Sequence, residues 1–132
     1  MKRIILALLV LVAIFCVSCK KEERVIVQVK NSLEKNGFTV TVNQDQENLK
    51  TLTETIKNVY QLDLKGSITA QLTAKGTYEG ADCIIEAIEL ENADEANVYF
   101  NHAVGQFGRD YVITRGNVVI MSTSSTALGL IN

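Results

Sequence analysis

Two side chains in this sequence could support nucleophilic catalysis, the single histidine His102 and the cysteine Cys83. Together they would make a thiol activated by imidazole, with Asp82 or Asn101 orienting the ring. Cys83 opens an apolar stretch, however, where a free cysteine behaves as a small buried hydrophobe. His102 lies between Phe100 and Ala103, which makes it a boundary histidine of a helix. No catalytic residues are expected, and a thiol enzyme or hydrolase using Cys83 and His102 is kept as the alternative. Carboxylates recur at Asp82, Glu86, Glu89, Glu91, Asp94 and Glu95. As a set they would hold a hard cation through oxygen. They lack EF-hand spacing and a DxD run with a glycine turn. Glu89 and Glu91 share a strand face that reads as solvated. Asp94 and Glu95 fall where a helix N-terminus favours negative charge. No metal is expected.

The stretch Gly105-Gln106-Phe107-Gly108 ends a helix instead of opening one, so it does not cradle phosphate. Neither GxSxG, HExxH, CxxC nor a P-loop occurs. No cofactor is expected. Tyr99, Phe100 and Phe107 stand at core spacing, whereas Tyr60, Tyr78 and Tyr111 sit beside turns or element ends, where they could edge a binding surface or mark a boundary.

The elements that must position these residues follow from periodicity. Val25, Ile26, Val29 and Leu33 share one helical face within residues 22–36, with Asn36-Gly37 as the stop and Phe38 as its apolar contact. Val25, Val27 and Val29 also alternate as a strand would. Phe38, Val40 and Val42 alternate with Thr39 and Thr41. Leu49, Leu52, Ile56 and Val59 make a helical stripe, with Asn43 or Asp45 as cap. Ile68, Ala70, Leu72 and Ala74 alternate with Thr69, Gln71 and Thr73, so that one face packs and the other is polar. Gly76 to Gly80 reads as a turn into a second strand, Cys83 to Leu90. Asn92-Ala93-Asp94-Glu95 has the form of a capping box. Ala96, Tyr99, Phe100, Ala103, Val104 and Phe107 follow on one helical stripe that Gly108 ends. Tyr111–Thr114 and Val118–Met121 form a last hairpin around Arg115-Gly116-Asn117. The tail, residues 122–132, is either a short closing helix or a frayed terminus. The order α-β-α-β-β-α-β-β predicts an α+β fold. About five antiparallel strands would carry about three helices on one face of the sheet.

Ahead of these elements stand two cations and fourteen apolar residues, Ile4 to Val17. A small residue follows, then Cys19. This is the form of a cleaved secretory signal. Val17-Ser18-Cys19 resembles the lipobox of bacterial lipoproteins, in which signal peptidase II cuts before a diacylated cysteine. Cys16 stands where that motif usually carries Leu. An uncleaved anchor is disfavoured because a span needs roughly 17–25 apolar residues; an ordinary secretory signal leaving Cys19 as a thiol is the other alternative. The resemblance implies residues 1–18 as a cleaved signal, 19–24 as lipidated Cys19 and a short charged tether, and 25–132 as one domain. Two acyl chains at about 0.8 kcal/mol per buried methylene hold stably where one binds reversibly.

Cleavage there removes 18 of the 132 residues and leaves 114, enough for one modest core. Lys2 and Arg3 leave with the signal, so 13 basic residues become 11 against 15 acidic ones, a balance of −4. That excludes a basic stripe for nucleic acid. With Cys16 removed and Cys19 alkylated, Cys83 has no cysteine to pair with. The hairpin around Lys75-Gly76, Glu91–Ala96, Tyr99-Phe100 and the strands flanking Arg115-Gly116-Asn117 resemble small uncharacterised lipoproteins of low-GC Gram-positive bacteria, over roughly residues 64–122. That resemblance implies a lipoprotein domain and no catalytic residues. The expected function is a non-catalytic binding or interaction module, anchored to the cell membrane through the acyl chains on Cys19 and facing the extracytoplasmic side. Its partner would be an envelope protein or surface ligand, met through an exposed edge or the face bearing Thr69, Gln71 and Thr73. A small-molecule-binding lipoprotein is a further alternative.

Overall fold

A computed structural model describes residues 24–131. The segment expected as a cleaved signal, Cys19 and most of the expected tether lie outside the described residues. Helix α1 (Val25–Lys35) opens the domain and buries Ile26, Val29 and Leu33, so the helical alternative holds for this segment. It ends as a Schellman motif: Phe38 N–H donates to the Leu33 carbonyl (3.0 Å) and Gly37 N–H to the Glu34 carbonyl (3.1 Å). Strand β1 (Thr39–Asn43) leads to α2 (Gln46–Tyr60), whose cap is Asp45, accepting from Glu47 N–H at 3.1 Å. Strands β2 (Ala70–Tyr78) and β3 (Ala81–Glu89) form a long hairpin. Its turn is the pair Glu79-Gly80, both at positive φ, so the strand runs through Gly76 where a turn was expected. Gly76 is needed within the strand because a Cβ there would meet the Phe38 ring at 2.8 Å. Helix α3 (Ala93–Phe107) follows, then a 3₁₀ turn (Arg109–Tyr111), β4 (Val112–Arg115), β5 (Val118–Ser122) and a closing 3₁₀ turn (Thr126–Leu130).

The sheet is antiparallel throughout, in the order β1-β2-β3-β5-β4. Class, strand number and element order are those expected. The helices, however, cover both faces. On the first face α1 and the closing turn bury Leu72, Ala87, Cys83, Ile85 and Ile120. On the second, α3 and α2 belong with Ile88, Val112, Val119 and Met121. One-sided alternation holds in β1 and β2, which suggested a single covered face. It fails in β5, where all five residues are buried, and in the second half of β3. Strands apolar on both sides need cover on both sides. Because α3 lies over β4 and β5, the second face stays open along β1 and β2 and at the start of β3, where Thr39, Thr41, Lys75, Thr77 and Asp82 are exposed.

Candidate functional site

Cys83 and His102 are not brought together. Cys83 is 2% exposed on the first face, with its sulfur 3.7 Å from Ser122 Oγ. His102 rides on α3, on the second face. Its ring lies 4.3 Å from that of Tyr60, tilted by 44°, and 6.2 Å from that of Tyr99. The sheet stands between thiol and imidazole, because alternation along β3 sends Cys83 into the α1 layer while α3 lies on the other side.

The carboxylates scatter in the same way. Glu89, expected on a solvated strand face, is only 4% exposed. It faces the start of α1, where both Nε (3.2 Å) and a terminal nitrogen of Arg24 donate to it and Thr69 Oγ1 donates at 2.7 Å. As acceptor, and secondarily through its charge, Glu89 raises the pKa of Arg24 against an opposing effect of burial. Thr69 is thereby turned away from Gln71 and Thr73. It precedes β2, so the strand alternation that grouped the three does not reach it.

Glu91 and Glu95 serve a loop. Glu95 Oε1 accepts Lys65 N–H and Gly66 N–H, each at 2.5 Å, and Glu91 Oε1 accepts Ser67 N–H at 3.3 Å. Three consecutive amides, an arrangement that could hold an anion, are thus filled by the protein's own carboxylates. Half of the expected capping box forms: Asn92 Oδ1 accepts Glu95 N–H at 2.9 Å, while the Glu95 side chain goes to the loop instead of back to residue 92. Among the described residues no group of three or more His, Cys, Asp or Glu is placed to hold a metal ion. No helix among them is long and apolar enough to cross a membrane.

What the structure does assemble is a groove of about 460 Å³ on the second face, where α3 ends over β3 and β5. Ile84, Phe107, Tyr111 and Met121 line it, with Glu86. Phe107, expected in the core, is 58% exposed, and Ile84 and Tyr111 are exposed as well. Its stripe runs one turn past the sheet surface it covers. Glu86 stands on the groove's β3 wall and makes no ion pair with any described residue. Of the lining, Tyr111 is marked by sequence through its place beside a turn, and Glu86 only as one of a set of carboxylates read for a cation; Ile84 looks like an ordinary strand residue until register and helix placement are known.

Tyr99, on the buried side of α3, has its pKa pushed up to about 12 by burial first, then by the negative charge of Glu86 and by Tyr60. Raised above the ordinary value of 10, the phenol favours folding below pH 10. That contribution is lost as pH climbs from 10 toward 12, because the unfolded chain ionises first. Alkaline unfolding of the native chain should therefore be steeper over that window than that of Tyr99→Phe, which has no phenol to ionise. Superimposable stability curves above pH 10 would overturn the assignment. The chain matches no protein-family model, no curated protein and no solved structure.

Proposed function

We propose that this chain is a lipid-anchored protein of the cell envelope, held at the extracytoplasmic side of the cell membrane by acyl chains on Cys19. Its domain acts as a non-catalytic binding module that takes a protein partner in the groove of Ile84, Glu86, Phe107, Tyr111 and Met121. The observation that carries this reading is the concentration of exposed large apolar side chains there. Of five such residues among those described, three line this one groove, and exposed apolar patches of this kind mark interaction sites. Glu86, the lining's one charge, selects a partner segment that sets an apolar side chain beside a lysine or arginine. Helix α1 lies on the first face and the groove on the second, so the groove is clear of the helix that opens the domain.

The address is tested by the intact mass of the full-length chain from the membrane fraction, beside Cys19→Ala. A chain beginning at residue 19 with a diacylglyceryl mass, lost together with membrane retention in Cys19→Ala, is expected. A free thiol at residue 19 would sink the anchor. The groove is tested with a photo-crosslinking amino acid at position 107 and, as control, at exposed position 54. A discrete adduct from 107 alone, abolished by Glu86→Lys, is expected; equal adducts from both positions would remove the groove from the function.

A further inference from the structure

We propose that two copies of this chain pair edge to edge through β1, antiparallel about Thr41, to form one continuous ten-stranded sheet. The sheet has two edges. β4 is short and closes into the Arg115–Val118 turn, whereas β1 presents five residues that pair with β2 on one side only. An open strand of this length is normally blunted by lysine, proline, a bulge or a covering element. β1 reads Thr39-Val40-Thr41-Val42-Asn43, with no charge, no proline and an unbroken register against residues 71–75. Thr39 and Thr41 are exposed, and Val40 and Val42 are half-buried.

The occupant is fixed by the symmetry of that strand. Rotation about Thr41 sets Thr41 against Thr41, Val40 against Val42 and Thr39 against Asn43. Each valine thus meets a valine on the first face, and threonine or asparagine meets its like on the second. The flanks complement each other too. Lys35 precedes the strand and Asp45 and Glu47 follow it, so antiparallel pairing carries the basic flank of each copy toward the acidic flank of the other. A two-fold axis perpendicular to the sheet keeps both α1 helices on one face and both grooves on the other. Two copies joined this way therefore begin their described chains, at the start of α1, on the same side of the sheet, as a pair rooted in one membrane requires. Confinement in that membrane raises the effective concentration of each copy for the other.

The test uses the full-length chain in its native cell fraction, with single cysteines introduced and mild oxidation applied. Paired residues across an antiparallel ladder lie within disulfide reach. Thr41→Cys should therefore give a covalent dimer on a non-reducing gel. Thr39→Cys alone should not, because its own copy lies about four strand positions away, about 13 Å. Co-expressed Thr39→Cys and Asn43→Cys chains should restore the dimer. Thr77→Cys, exposed on the β2–β3 hairpin, should give no covalent dimer, like the native chain, whose Cys83 is buried. Adding Glu at 39 and 43 to Thr41→Cys should abolish the dimer with the circular dichroism spectrum unchanged. Absence of a Thr41→Cys dimer, or equal dimer from Thr39→Cys alone or Thr77→Cys, would overturn the proposal.

Discussion

Leu72→Ala is expected to lower the unfolding free energy by about 3–5 kcal/mol, toward the upper part of the range for large-to-small changes in a core. Leu72 is fully buried on β2, opposite Val42 on one side and Ala87 on the other. Its same-face neighbours along the strand are Ala70 and Ala74. Three of the positions around it are therefore alanines, with no longer side chain to swing into a gap. The space left by the missing isobutyl group stays open, and α1 loses the surface it packs against. Domains of this size have only about 5–15 kcal/mol in total. Urea unfolding of the native and variant chains measures the effect. Leu72→Met, which keeps the volume, should cost less than about 1.5 kcal/mol. A loss below 1 kcal/mol for the alanine variant would show that the face relaxes into the gap, contrary to the alanine ring around it.

Glu95→Ala is expected to cost about 2–4 kcal/mol, for a different reason. Its carboxylate is the acceptor for Lys65 and Gly66 N–H, and truncation strands two amides beside a core that includes Leu64 and Ile68. The loss also removes a negative charge from the first turn of α3, where the helix dipole favours it. Glu95→Gln keeps an acceptor oxygen in the same place and should cost about 1 kcal/mol. Hydrogen exchange reads the site directly: amides 65 and 66 should exchange much faster in the alanine variant and close to normally in the glutamine variant. Equal stability of both variants would mean that water replaces the carboxylate, and that the loop is not held by Glu95.

These two residues show how far the pattern along the chain reaches. Leu72 is marked as core by simple alternation, since β2 is covered on one face only. Glu95 is marked as a helix-start residue by Asn92 three positions earlier, yet its side chain serves a loop thirty residues away, which no local pattern encodes. Phe107 shows the reverse error: it continues a helical stripe that outlasts the sheet beneath it, so periodicity counts as core a residue that ends up in the groove. The groove was illegible for that reason. Its lining comes from the end of α3, the start of β3 and the far end of β5, joined only by packing.

Sequence alone determined the order of elements, the stop at Asn36-Gly37, the cap at Asn92 and the last hairpin, and narrowed the α2 cap to Asn43 or Asp45, because each depends on backbone and side chains within a few residues. It also holds Val17-Ser18-Cys19, whose proposed reading as a lipidation site does not depend on the fold. Tertiary structure decided which face each element covers. Period-2 and period-3.6 patterns state that a residue is inward but not toward which side of the sheet, so only packing could part Cys83 from His102, draw Glu89 to Arg24, and leave Ile84, Phe107 and Tyr111 together in the open.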